Sequence, residues 1–219
     1  PVITKVFKLL GREIQERQLS QREEIKIGAA FTFALIKIED NKQFGKTIRD
    51  DDFFSNKENR RSSSEEILEG ILISSQREFE ELKLKYLGNL YANICFHQDV
   101  SKEYASQLIK TANSLSFRQF CLLQLLRMQS MDDRLAFKVR GLDKWQIDQL
   151  DIIAELRDLQ QRGQVFIPRT FDGGNNSSSI KLETLKITGI GMFFCEMLSL
   201  EEIDEEDLNK LNDQTAILK

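Results

Sequence analysis

The last third of the chain carries the most restrictive pattern, a helical run followed by a short hairpin and a second helical run. In chain order its parts are a helix at 144–162 that ends at Gly163, a strand at 164–167, a turn at 172–179, a strand at 182–188 and a helix at 192–198. Elsewhere, apolar residues recur at the three- and four-residue spacing of amphipathic helices. Only two prolines, Pro1 and Pro168, occur in the chain, so little interrupts helix formation. We therefore predict a mostly α fold with one small β-hairpin.

The hairpin pattern also predicts how the chain is organised. A helix, a hairpin and a further helix in this order resemble a winged helix, an arrangement that often binds nucleic acid. We predict an N-terminal helical bundle at 1–114 and a winged-helix-like C-terminal part at 115–219. The C-terminal part includes an acidic tail at 201–207. This tail either begins a solvated helix, which we favour, or binds a basic partner.

Two amphipathic helices open the N-terminal bundle. The first is predicted at 3–14, and the second begins at Ser20, which forms a capping box with Glu23. The second helix has a broad apolar face, made of Ile27, Ala30, Phe31, Ala34 and Ile38. Phe33 and Ile36 widen this face further. We therefore expect the helix to be buried on more than one side.

A third helix is predicted to be much longer. Ser62–Ser64 precede acidic residues, as at a capped helix start, and apolar residues then keep helical spacing as far as Cys95. One unbroken helix at 64–95 would be roughly 45 Å long. Its glutamates are expected to form a solvated face, with Arg77 and Lys83 as ion-pair partners. Its wide apolar seam favours self-association of the chain.

Catalytic and metal-binding motifs are absent from the sequence, so we assign no catalytic, cofactor-binding or metal-binding residue and expect no cofactor. A helical two-metal site would need Glu-x-x-His motifs, whereas His97 is the only histidine and has no Glu three residues before it. The stretch 41–62 lacks a period and is predicted to be a loop with Phe53 and Phe54 turned inward. Loops of this length often have a function. An enzyme with its site near His97 and this loop is therefore one alternative hypothesis.

A DNA-binding transcriptional regulator is the second alternative. In that hypothesis the phosphate contacts come from Arg157, Arg162, Arg169 and Lys181. The candidate recognition helix also carries four acidic residues, namely Asp148, Asp151, Glu155 and Asp158. Because phosphate attraction supplies much of the affinity for nucleic acid, this helix disfavours a nucleic-acid partner. We favour instead a winged helix that packs against protein.

The overall composition is that of a globular protein with a mild net charge of −4. Its three cysteines, Cys95, Cys121 and Cys195, are far apart in the sequence and stand among apolar residues. This pattern predicts buried, reduced thiols and a cytoplasmic location. No apolar run reaches the roughly 20 residues that a membrane span requires, so we expect no membrane partner.

Several stretches together resemble a known family. They are Glu80–Leu82 with Tyr86–Asn93, Leu108–Ile109, Leu115–Gln119 and Leu185–Gly191. Their layout is similar to that of the abortive-infection alpha (Abi-alpha) proteins, which are associated with phage resistance and end in a winged-helix-like part with a Leu-Thr-x-x-Gly turn. Here that turn begins with Ile187 instead of Leu, and the resemblance spans about 66–198.

The resemblance implies a bacterial origin and a role in phage defence, and it transfers no catalytic residue. Together with the absence of catalytic motifs, it leads to one preferred hypothesis. We predict a non-enzymatic bacterial interaction or regulatory protein that binds a protein partner or a second copy of itself.

Overall fold

The computed structural model describes residues 18–56, 60–131, 147–168 and 185–215, together with Lys8 and Gly11. Within these residues the chain is mostly helical, with one small antiparallel hairpin, which confirms the predicted fold class. The helices are α1 (Gln21–Gln43), α2 (Ser63–Arg77), α3 (Lys83–Ile94), α4 (Lys102–Ser114), α5 (Phe117–Met131), α6 (Ile147–Gln161), α7 (Gly189–Leu198) and α8 (Glu205–Thr215). The strands are β1 (Val165–Phe166) and β2 (Lys186–Ile187). The chain divides into two compact units, Pro1–Leu115 and Ser116–Lys219.

In the first unit, α1 packs directly on α3 at a glycine. A Cβ atom built on Gly88 would lie 2.5 Å from the Ala30 carbonyl oxygen and 2.9 Å from the Ala34 backbone nitrogen. The two helix backbones therefore touch at a position where only glycine fits. Nearby, the Asn41 amide donates a 3.0 Å hydrogen bond to the Asn93 side-chain oxygen, and both residues are buried. This pair satisfies polar groups inside the α1–α3 interface.

The predicted unbroken helix at 64–95 is wrong, because the chain leaves the helix between Arg77 and Lys83. The cause is Glu78, whose carboxylate accepts hydrogen bonds from the backbone N–H groups of Phe79 (2.9 Å) and Glu80 (3.0 Å). The same carboxylate pairs with Lys83 at 2.5 Å. Lys83 is only 1% exposed, so the prediction that it lies on a solvated face is also wrong.

In the second unit, α5 supplies much of the core. Its buried apolar residues are Phe120, Cys121, Leu122, Leu123, Leu125 and Leu126. The hairpin pairs Val165 with Ile187, and the Thr188 hydroxyl caps α7 by accepting from the Gly191 backbone N–H at 3.1 Å. A Cβ atom at Gly191 would lie 2.3 Å from the Gln164 carbonyl oxygen, so α7 starts in contact with the chain before β1. The acidic tail forms a short 3-10 turn at Leu200–Glu202 and the first turn of α8.

Two predicted elements fall outside the described residues. One is the N-terminal helix at 3–14, of which the structure describes Lys8 and Gly11 only. The other is the turn at 172–179, which would form the wing of a winged helix. The hairpin itself is present, and the winged-helix assignment stays a prediction.

Candidate interaction surface

The helix α1 begins at a capping box and is buried along one side. Ser20 and Glu23 form the predicted capping box, with the Ser20 backbone N–H donating to the Glu23 carboxylate at 2.8 Å. Glu23 also accepts a 2.9 Å bond from the Gln76 side chain, which ties α1 to α2. The Gln76 bond and then the bonds from Ser20 lower the pKa of Glu23 to about 2. The buried apolar positions of the helix are Ile27, Ala30, Ala34 and Ile38.

The opposite side of α1 is exposed although it carries large apolar residues. Ile25 is 64% exposed, Ile36 is 53% exposed, and Leu35 is also exposed. The expectation that Ile36 widens a buried face is therefore wrong. Ile36 stays exposed because α1 packs on α3 and α2 along the opposite side, which contains Ala30 and Ala34. The far side is left to solvent or to a partner.

Six residues along this side are separated by three and four positions in alternation. They are Arg22, Ile25, Ala29, Thr32, Ile36 and Glu39, and we call them the α1 seam. All are exposed except Ala29, which is half-buried. Alternating spacings of three and four define the a and d positions of a coiled coil, where one helix receives the side chains of another. The seam thus has the spacing of a helix-pairing surface.

Further exposed apolar residues lie at the two ends of the seam. Phe44 directly follows α1 and is 84% exposed, and Phe79 and Leu82 are exposed in the α2–α3 connection. This connection lies beside the start of α1, because Arg22 contacts Glu81 at 3.1 Å. The buried Lys26 ammonium also donates to the backbone carbonyl of Glu78 in the same connection, at 2.5 Å. Apolar side chains at both ends therefore extend the seam.

The loop after α1 is fixed by the buried residue Arg49. Its guanidinium donates to the backbone carbonyls of Val100 (3.0 Å) and Ile94 (3.4 Å) and to the Asp51 carboxylate at 2.8 and 2.5 Å. It also lies 4.2 Å from the ring centre of Phe53. The hydrogen bonds from Arg49 lower the pKa of Asp51 below its ordinary value. Arg49 thus joins the loop to the turn after α3.

His97 lies in that same turn, half-buried, with its backbone N–H donating to the Ile94 carbonyl at 3.2 Å. The structure therefore places the turn that contains His97 beside the loop: Arg49 donates to the Gln98 carbonyl, and the Gln98 amide donates to Asp50. The nearest thiol, Cys95, is buried, and burial raises its pKa to about 12. A thiol with such a pKa is a poor nucleophile at neutral pH. Among the described residues, no group of three His, Cys, Asp or Glu side chains is placed to hold a metal ion.

The four basic residues of the DNA-binding hypothesis are only partly described. Arg157 is exposed on α6, and Arg162 follows α6 and pairs with Asp158 at 2.9 Å. Arg169 and Lys181 lie outside the described residues. Two acidic residues of α6 hold it against α5, since Glu155 pairs with Arg118 at 2.8 Å and Asp158 accepts from Gln119 at 2.9 Å.

Sequence reasoning missed the α1 seam as a site. The signal was present, because small and apolar residues between two opposite charges recur at heptad spacing from Arg22 to Glu39. No helix in the described parts of the chain is long and apolar enough to cross a membrane. Comparison of the chain with protein-family models, with curated proteins and with solved structures finds no significant match.

Proposed function

We propose that this chain is a non-enzymatic protein-interaction protein that acts through the α1 seam. The observation that carries the proposal is the exposure of Ile25 and Ile36 on the side of α1 that faces away from its own core. Single exposed apolar residues are ordinary on protein surfaces, whereas these two isoleucines share one side of the helix, with the small residues Ala29 and Thr32 between them and exposed apolar residues at both ends. The heptad spacing adds that the partner presents a helix.

The free energy gained when a partner covers the seam can be estimated from its two isoleucines. Full burial of an isoleucine side chain stabilises by about 1.5–3 kcal/mol, and roughly half of each side chain is still exposed here. Covering both would contribute about 2 kcal/mol per chain before any ordering cost. Phe44, Phe79 and Leu82 offer further apolar area at the ends of the seam. This supports a partner that covers the whole length of α1.

Two buried charged side chains support a non-enzymatic role, because each of them has a structural partner. Arg49 joins a loop to a turn, and Lys83 pairs with Glu78 where two helices meet. The three buried free cysteines support a cytoplasmic location. The resemblance to Abi-alpha proteins supports a regulatory part in phage defence. A plaque assay tests this part, since substitutions in the α1 seam should abolish any reduction in phage plaques that the wild-type chain causes.

Chemical labelling of a cysteine placed in the seam tests the interaction directly. Thr32→Cys puts a reactive thiol at the centre of the seam, and Lys110→Cys puts one on an exposed position of α4 as a matched control. The native thiols interfere little, because all three are buried and burial raises the pKa of Cys95 and of Cys195 to about 12. Labelling rates are compared between dilute purified protein and a concentrated extract of the producing cells.

We expect the thiol at position 32 to react severalfold more slowly in the extract than in dilute solution, while the thiol at position 110 keeps its rate. If the thiol at position 32 reacts at the same rate in the extract as in dilute solution, nothing covers the seam. That result would overturn the proposed function.

A further inference from the structure

We infer that the partner at the α1 seam is a second copy of this chain, whose α1 runs antiparallel to the first. The inference rests on the proposed function, and it adds the identity and the direction of the partner helix. It comes from the order of chemical types along the seam. From one end to the other they are a cation, an isoleucine, two small residues, an isoleucine and an anion, at Arg22, Ile25, Ala29, Thr32, Ile36 and Glu39.

This order is symmetric about a point between residues 30 and 31. An antiparallel copy related by a two-fold axis at that point places Arg22 opposite Glu39 of the second copy, and Ile25 opposite its Ile36. In antiparallel helix pairs an a position faces a d position, and the seam spacing satisfies this at every step. A two-fold interface uses the same surface on both copies, so such self-complementarity is its requirement.

The charges decide the direction of the second helix. A parallel copy would place Arg22 beside Arg22 and Glu39 beside Glu39, whereas the antiparallel copy makes two opposite-charge pairs. Within one chain, Arg22 contacts Glu81 at 3.1 Å and Glu39 contacts Lys42 at 3.6 Å. Both contacts are solvent-exposed, and exposed pairs hold side chains only weakly. They therefore leave both groups able to pair across the interface.

The middle of the seam allows the two helices to approach closely. Ala29 and Thr32 face each other across the two-fold axis, and both have short side chains. Next to them, a Cβ atom at Gly28 would have no atom within 4 Å, so its surface is open. Small residues at a helix crossing permit interaxial distances near 8 Å. The flanking isoleucines then close the interface on each side.

The ends of the seam fit the same arrangement. Phe44 follows the C-terminal end of α1, and the connection that contains Phe79 and Leu82 lies beside its N-terminal end. An antiparallel copy brings Phe44 of one chain toward Phe79 and Leu82 of the other. Three exposed apolar residues per chain, two of them aromatic, are thereby covered, which a parallel copy would not do.

Sedimentation equilibrium of the full chain, with charge-reversed variants, tests the inference. The wild type is expected to form a reversible dimer. Arg22→Glu and Glu39→Arg should each weaken dimerisation by about tenfold, since each turns two attractive pairs into two repulsive ones. The double variant R22E/E39R should return to the wild-type constant, and an equimolar mixture of the single variants should form the mixed dimer. Glu81→Gln, which removes the contact of Arg22 within its own chain, should leave the constant unchanged.

Several results would overturn the inference in distinguishable ways. A chain that stays monomeric at all concentrations, while its seam is protected in the cell extract, has a different protein as partner and keeps the proposed function. A monomer whose seam is also unprotected in the extract loses both. A dimer that R22E/E39R fails to restore, with circular dichroism showing both single variants folded, is not the antiparallel pair.

Discussion

The contact between α1 and α3 predicts a large loss of stability from the smallest enlargement of a side chain. Gly88→Ala adds one methyl group 2.5 Å from the Ala30 carbonyl oxygen and 2.9 Å from the Ala34 nitrogen. Both are backbone atoms of a helix, so neither can rotate aside and the two helices must separate. Separation also disturbs the buried pair of Asn41 and Asn93, which spans the same interface.

The expected size follows from two opposing effects. Overpacking a close contact costs about 1–3 kcal/mol, and the upper part of that range applies where backbone blocks the methyl group. Alanine regains up to about 1 kcal/mol through its higher helix propensity. We expect Gly88→Ala to lower the free energy of unfolding by about 2 kcal/mol.

Gly70→Ala is the matched control, because it lies within α2 and its Cβ would meet the Ile109 side chain at an ordinary 3.5 Å. This variant should be as stable as the wild type or up to about 1 kcal/mol more stable. Urea denaturation followed by circular dichroism measures both variants. Equal stability of Gly88→Ala and Gly70→Ala would refute the close contact of α1 and α3.

Three other predictions concern groups whose surroundings are well defined. Arg49→Ala removes the guanidinium hydrogen bonds to the backbone carbonyls of Val100, Ile94 and Gln98, of which the first two are buried, and should destabilise the chain by about 2 kcal/mol in urea denaturation. The depressed pKa of Glu23 contributes stability above its ordinary pKa of 4.5 that is lost as pH falls toward about 2, so Glu23→Gln should flatten the pH dependence of stability in that window. A thiol reagent at neutral pH should leave Cys95 and Cys195 unmodified in the folded chain and modify both after denaturation.

Local signals in the sequence predicted the helix starts well. Ser20 and Ser62 each form a capping box with the glutamate three residues later, and Ser101 caps α4 through the Tyr104 backbone N–H. Such caps act within one turn of helix, so the sequence contains all the participants. The start of the hairpin was predictable for a related reason, because a glycine, Gly163, ends the helical run. Its φ of 73° is one that glycine adopts readily.

The break between α2 and α3 was not predictable from periodicity. Apolar spacing continues through it, yet Phe79 and Leu82 are exposed. The bonds of the Glu78 carboxylate end the helix locally, and one long-range contact holds the break in place, from the Lys26 ammonium of α1 to the Glu78 carbonyl. The contact with Lys26 exists only after the unit has folded. A similar limit applies to the α1 seam: its heptad spacing is visible in the sequence, but α1 is apolar on several sides and packing decides which side stays open.

The distance between two copies of α1 tests the central claim that a second, antiparallel chain covers the seam. Gln43, the last residue of α1, is exposed and can carry a spin label as Gln43→Cys. In the antiparallel dimer the two labels are about 40 Å apart, from the helix rise along α1 and the separation of the helix axes. Pulsed electron paramagnetic resonance on the dimer should find that distance. A separation near 10 Å, as parallel helices would give, or the absence of any coupling between labels, would contradict the account.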